Sequence, residues 1–397
     1  MLKHKIMLKS KFYMGIVLVG LLTMMSCREE FEIQYEVGDL APILVVEGYI
    51  DVKSTSSQYR LSSARPVGTS DNAAQGGISG AVITIESEDG VKYNSSGGFD
   101  GKYVISHPVL NSDRKYRLLI QVGADRYESA FVEVKVSPDI SEVGWSEVEQ
   151  GVEIYVSTED ETQNSRFYRY EYEEDWRYSA PYYSSIIYDD GAVRDRNFDE
   201  RIDLCYLADR STSILLASSS NLASDAIHRF PIVLVPTYSV KLSYRYSILV
   251  RQIPLTEAAY TYWEQLRESS ENLGDIFGPM PSELRGNITC VTDPNKRVIG
   301  MAEAASPTTK RLYINRNDLE EFWPVRDEYY SGCMYTEEPI SIAMITIQSN
   351  PSFLLINAVS NNPSSPNPTD YTYSGRRCVD CRVKGGTVAP PDFWEAR

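Results

Sequence analysis

From Ile43 onward, apolar and polar residues alternate in short runs. Ile43 to Ile50 (ILVVEGYI) and SSQYRLSSA come first. SGAVITIESEDG follows, in which Val82, Thr84 and Glu86 alternate with Ile83, Ile85 and Ser87. A period of two bounded by glycine and aspartate turns predicts half-buried strands. VKYNSSGGFDGKYVISHPV and RKYRLLIQVGADRYESAFVEVKV continue the pattern, with Gly123-Ala124-Asp125 as a hairpin turn. Seven or so short strands within roughly a hundred residues, with no helical period, predict an immunoglobulin-like β-sandwich over residues 40–137.

Pro138-Asp139-Ile140 reads as a joint, and residues 138–397 return to antiparallel β patterning. In SRFYRYEYEEDWRYSAPYYSS the period places Tyr168, Tyr170 and Tyr172 on one face and Phe167, Arg169 and Glu171 on the other. The runs DLCYLADRSTSILLASSS, FPIVLVPTYSVKLSYRYSILVRQIP, KRLYINR and ISIAMITIQSNPSFLLINAV also read as strands. One stretch, near 256–273, has helical spacing. Leu255, Ala259, Tyr262, Trp263, Leu266 and Leu273 share a face opposite Glu264, Arg267, Glu268 and Glu271, with Thr256 as cap and Gly274 as stop. The fold class is therefore mainly β: a sandwich followed by a larger antiparallel β domain with one inserted α-helix.

The first 26 residues read differently. Lys3, Lys5, Lys9 and Lys11 precede an apolar run, Phe12 to Met25, too short to span a bilayer comfortably, and Ser26-Cys27 closes it. This predicts a lipoprotein signal over 1–26, acylation of Cys27, and an acidic tether over 27–39. The alternatives are plain secretion and a retained helix. Two or three acyl chains anchor stably, because each buried methylene contributes about 0.8 kcal/mol. Arg28-Glu29-Glu30-Phe31-Glu32 resembles the acidic export tag of Bacteroidetes lipoproteins displayed on the outer leaflet. The formal charge is −16, and without the leader's four lysines it becomes −20. Such acidity excludes nucleic acid and anionic headgroups as favoured partners.

Candidate chemistry is sparse. His107 and His228 stand far apart in sequence and are expected at the surface, and no metal or cofactor motif is present. Acidic neighbours such as Glu173-Glu174-Asp175 or Asp189-Asp190 are too common among 55 acids to mark a hydrolase. Asp189-Asp190-Gly191 and Asp195 to Asp199 fit no EF-hand spacing. Cys205, Cys290, Cys333, Cys378 and Cys381 are candidate disulfide cysteines. Cys378-Val379-Asp380-Cys381 lacks a thioredoxin-like context, so structural bridges are expected over redox activity or a metal, with one of this pair bridging Cys333. Tyr168, Tyr170, Tyr172, Trp176, Tyr178, Tyr182 and Tyr183 form an aromatic cluster with two readings: a contact surface for a glycan or peptide, or sheet core.

Gly98-Phe99-Asp100-Gly101-Lys102-Tyr103 with Tyr116-Arg117-Leu118 resembles the turn of small prealbumin-like or carboxypeptidase-regulatory sandwiches. The lipobox, LVVEGYI, the A-V-I-T-I strand, Y-x-Y-W-E-x-L, Glu271 to Phe277 with Pro281, Arg285-Gly286-Asn287-Ile288, Cys378-x-x-Cys381-Arg382, Gly385-Gly386-Thr387 and Pro391-Asp392-Phe393-Trp394 follow in order. Together they resemble the Bacteroidetes outer-membrane lipoproteins grouped as domain of unknown function 4249. The resemblance implies a surface accessory of a TonB-dependent receptor in nutrient import and carries over no catalytic residue. A carboxylate-based hydrolase and a structural or adhesive stalk are the alternatives.

Overall fold

The computed structural model describes residues 42–64, 76–162, 164–222, 224–271, 284–319, 325–361 and 367–394. Cys27, the tether and the segment around Gly274 lie outside them.

The alternating runs become strands, and the first group forms one sheet bent back on itself. Its nine strands run Ile288–Cys290, Asp125–Ser129, Tyr116–Val122, Val82–Ser87, Lys92–Phe99, Lys102–Ser106, Ser56–Ala64, Ile43–Gly48 and Val298–Gly300. Strands from the two halves share one core, in which Ile83, Ile85, Leu118 and Ile120 meet Leu44, Val46, Leu61 and Ile105. Asp100 and Gly101 both take positive φ (50° and 74°), the conformation a two-residue hairpin turn needs. A Cβ on Gly98 would lie 2.1 Å from the Tyr103 ring, so glycine lets that ring pack. The Tyr103 hydroxyl donates to the Ile78 carbonyl at 2.7 Å and accepts from the Ala81 amide at 3.0 Å. The G-x-Y turn is thus a packing device.

The expected 40–137 unit is not contiguous. Its two edge strands come from beyond the helix, and Ala304–Ser306 lies parallel between Ile50–Asp51 and Val134–Val136. Edges left open by the first 137 residues are closed by a segment that period-two reading cannot assign to a partner.

A second sandwich follows. One sheet holds Ile140–Val148, Gly151–Glu159 and Ala226–Pro236; the other holds Leu204–Arg210, Phe167–Ser179, Arg245–Pro254 and Thr308–Asn315, with Leu215–Ser218 also pairing Phe167–Ser179. Val152, Ile154 and Val156 face Tyr168, Tyr170, Tyr246, Ile248 and Val250 across the core. The helix Glu257–Glu271, here α1, begins where expected, for the Thr256 hydroxyl accepts from the Ala259 amide at 3.2 Å.

A further sheet orders Tyr335–Pro339, Asp370–Gly375 and Phe353–Val359. The run ISIAMITIQ, expected as a strand, is instead a second helix, α2 (Ile340–Ser349). Ile340, Ala343, Met344 and Ile347 do share a helical face, but Ile342 and Ile345 are apolar too, so the run lacks the polar contrast that separates a period of 3.6 from one of two. Ala343 is buried against Leu355 and Tyr373, while Ile342 and Ile345 are exposed.

Two disulfides fasten this region, Cys205 to Cys381 (1.99 Å) and Cys333 to Cys378 (2.03 Å); Cys290 is buried and unpaired. The bridges span 176 and 45 residues of sequence respectively. Cys378 and Cys381 thus bond to different partners, and the C-x-x-C is a double staple. The tail also docks by its rings. Trp394 stands edge-on to Tyr206 at 5.1 Å, and the Arg311 guanidinium lies 3.5 Å from the Phe393 ring centre.

Because closure entropy grows with the logarithm of loop length, the paired Cys205→Ser/Cys381→Ser replacement should destabilise by about 1 kcal/mol more than Cys333→Ser/Cys378→Ser, each costing about 2–5 kcal/mol. Denaturant unfolding of both double variants under non-reducing conditions measures the difference. Equal midpoints at equal slopes would contradict it.

Candidate functional site

Of the two readings of the aromatic cluster, contact surface or sheet core, the structure shows mostly core. Tyr168, Tyr170 and Tyr178 are fully buried and Trp176 nearly so, because the even-numbered face of Phe167–Ser179 points into the second sandwich. The Tyr170 hydroxyl donates to Gln252 Oε1 at 2.9 Å, and the Tyr178 hydroxyl donates to the Cys381 carbonyl at 2.8 Å. Gln252 in turn donates to Ser137 Oγ at 2.8 Å and to the Pro138 carbonyl at 3.1 Å, tying the joint to the sheet. Burial pushes the Tyr178 hydroxyl up to about 12. Lys241 caps the Trp176 ring at 4.9 Å. Tyr172 is half-buried against the same core, and Tyr182 donates to the Cys333 carbonyl at 3.1 Å. Of the seven, Tyr183 alone is openly exposed.

The other candidates resolve in the same way. His107 is buried, not on the surface. Its Nδ1 lies 2.8 Å from the Pro108 carbonyl and its Nε2 2.8 Å from Ser57 Oγ. With Nδ1 donating to the carbonyl, Nε2 accepts from a serine that is itself 1 % exposed and bonded by the Asp51 amide, so the pair is closed to a substrate. His228 is exposed. Asp189-Asp190-Gly191 is a hairpin turn in which Asp189 pairs with Arg194 at 2.6 Å. Glu173, Glu174 and Asp175 do not converge. Glu174 faces the core, bonded by Tyr246 at 2.6 Å and Lys241 at 2.5 Å, while Glu173 and Asp175 face outward. No group of three histidine, cysteine or acidic side chains suited to a metal ion occurs among the described residues.

The odd-numbered face of the tyrosine strand builds what the even face does not. Glu171 lies opposite Arg251, which lies opposite Thr309; in the next row Arg210, Glu173, Leu249 and Arg311 cross the sheet. Glu47, Tyr49 and Arg60 of the first sandwich and Trp263 and Leu266 of α1 close over these rows and leave a cleft of ≈ 760 Å³. A second lobe of ≈ 390 Å³, lined by Asp51, Ser54, Ser56 and Gln58, shares Tyr49, Glu171, Glu173 and Arg251 with it.

Most of the charges here are held. The Arg169 guanidinium lies 4.2 Å from the Trp263 ring centre and donates to Glu171 at 2.8 Å. The Trp263 indole donates to Glu303 at 2.8 Å. Glu303 lies behind the wall, and burial raises its carboxyl above the usual range although Arg169 and the indole oppose it. Burial also opposes the charge on Arg251, yet Tyr49, Glu171 and Glu173 outweigh it and hold the guanidinium above its ordinary value. Burial likewise raises the Tyr49 hydroxyl, against the pull of Arg251. Arg251, Arg169 and Tyr49 escaped sequence reasoning as a site because they come from separate elements. The alternation that put arginine and glutamate opposite the tyrosines was the available signal.

Two outcomes follow. Tyr170→Ala should destabilise by about 3–5 kcal/mol, as for any large core truncation, and Tyr183→Ala by less than about 0.5 kcal/mol, measured by denaturant midpoint. For Glu303 the folded state keeps a proton that the unfolded chain has released, so stability falls as pH rises above the ordinary carboxylate value. Glu303→Gln should therefore melt higher than the native chain at about pH 8, with the gap closing towards about pH 4; a gap independent of pH would contradict this.

Comparison with known proteins gives a family and likenesses among solved structures. No curated protein matches the chain. A solved two-domain fibronectin type III segment of chicken tenascin is 12% identical, over 54% of this chain and 93% of that one, at a TM-score of 0.15. At that score the likeness adds nothing to the fold described above. The family model described as "Domain of unknown function (DUF4249)" matches residues 30–311, well over half of the chain, and the protein belongs to that family.

Proposed function

We propose that the protein is a Bacteroidetes outer-membrane lipoprotein, fastened at Cys27 and facing the exterior, that captures a ligand for a TonB-dependent import system without transforming it. The observation that carries this reading is the cleft. Its ≈ 760 Å³ falls in the size range of small-molecule sites, and it lies where two sandwiches and a helix meet. Its walls are fixed by their neighbours, Arg169 by Glu171 and Trp263, and Trp263 by Glu303. Groups ordered beforehand lose little freedom on binding, which favours recognition.

The anchor comes from the sequence: four lysines, a short apolar run and Ser26-Cys27. A body of −20 has no electrostatic pull towards anionic headgroups, so the acyl chains would supply the membrane attachment. Labelled palmitate should enter the native chain and not Cys27→Ser, and the native chain should co-purify with an outer-membrane β-barrel from detergent extracts. Label in Cys27→Ser, or purification free of any barrel, would overturn the reading.

A further inference from the structure

Arg251 is a half-buried guanidinium of the cleft whose charge Tyr49, Glu171 and Glu173 favour without any carboxylate gripping it directly. The side chain is partly buried, and among the described residues no carboxylate lies within ion-pair distance of it. Its one side-chain hydrogen bond is a long one, from Nη1 to the Tyr49 hydroxyl oxygen at 3.4 Å. Glu171, directly across the ladder, is bonded to Arg169 instead, and Glu173 sits 3.8 Å from Arg210. A guanidinium does not shed its proton in a protein, so the charge stays, and among the described residues only its Nη1 is engaged, which leaves the rest of the fork for a ligand. Its planar fork matches a carboxylate with two parallel bonds.

The rest of the cleft narrows the ligand. Glu47, Glu171 and Glu173 line the same space as Arg60, Arg169, Arg210 and Arg251, four positive charges against three negative, and that balance of +1 matches a single negative charge better than a doubly charged phosphate. Ile214, Leu249, Leu266 and the Trp263 edge form an apolar wall beside Arg251. One face of the Trp263 ring is already covered by Arg169, which leaves one face at most for stacking. The polar second lobe, with Ser54, Ser56 and Gln58, continues past Arg251 on the other side. Its hydroxyl and amide groups suit a main chain.

We propose that Arg251, with the Tyr49 hydroxyl beside it, anchors the C-terminal carboxylate of a short peptide whose last side chain is apolar and packs on the Leu249, Leu266 and Trp263 wall. The proposal rests on reading the cleft as a ligand site and names what that site takes. Tyr49 stays protonated at neutral pH and can donate to the carboxylate oxygen that the guanidinium does not reach.

The full chain in detergent micelles is titrated calorimetrically with the tetrapeptide Ala-Ala-Ala-Leu, with its C-terminal amide, and with digalacturonate. The free acid should bind, and the amide about tenfold or more weakly, as expected for loss of one charge-assisted pair. Arg251→Gln should abolish the preference for acid over amide in a chain that still melts cooperatively. Should that variant fail to fold, Tyr49→Phe is the second probe and should narrow the acid-to-amide ratio. Equal binding of acid and amide, no peptide binding at millimolar concentration, or a preference for digalacturonate would each overturn the proposal. Palmitate incorporation and barrel co-purification are untouched by those outcomes, so a wrong ligand and a wrong cellular role are told apart.

Discussion

The two-residue period of the strand Phe167–Ser179 is the constraint on which the second sandwich and the cleft both depend. Its even positions send Tyr168, Tyr170, Trp176 and Tyr178 into the core, and its odd positions send Arg169, Glu171 and Glu173 to the other side. A register slip of one residue would bury three charges and expose four rings. The phenol hydroxyls reinforce the register because each buried one has a defined acceptor, Gln252 for Tyr170 and the Cys381 carbonyl for Tyr178. Core and cleft are two faces of one ladder, so what stabilises the first positions the second.

The outward face is shared out along its length. At one end the C-terminal tail covers it, with Phe393 and Trp394 packed on Arg311, Arg245, Tyr206 and Tyr313, and the Cys205–Cys381 bridge holding that end to the sheet. At the other end α1 and the first sandwich leave the cleft. The first sandwich is held in place by chain that passes through it twice, once at Ile43 to Val136 and again at Ile288 to Ser306, before Thr308–Asn315 joins the second. That threading, with the Gln252 network at Ser137 and Pro138, is a physical reason for the cleft walls to keep their spacing.

Much of this was legible in the residues. The strands, the helix capped by Thr256 and the opposite facing of Tyr168 and Arg169 all follow from period and capping chemistry, because these are local. What depends on distant partners was not legible. Strands Ile288–Cys290 and Val298–Gly300 are too short to announce which edge they will join. Ile340–Ser349 is apolar on too many sides for periodicity to separate helix from strand. The tyrosine density left contact surface and core both open because rings serve interfaces and cores alike, and only the facing sheet decides between them. His107 looked peripheral beside a proline and lies buried because Ser57 and the Pro108 carbonyl answer both its nitrogens.

Nitration of the intact protein by tetranitromethane, mapped by peptide mass spectrometry, tests the division of faces most directly, since the reagent modifies tyrosines that solvent reaches. The account predicts early modification of Tyr183, Tyr238 and Tyr335, exposed by 49%, 53% and 57%, while Tyr168, Tyr170, Tyr178 and Tyr246 stay unmodified until the chain unfolds. Modification of Tyr168 and Tyr170 at the rate of Tyr183 would mean that the strand turns its rings outward, and both the core and the charged cleft described here would be wrong.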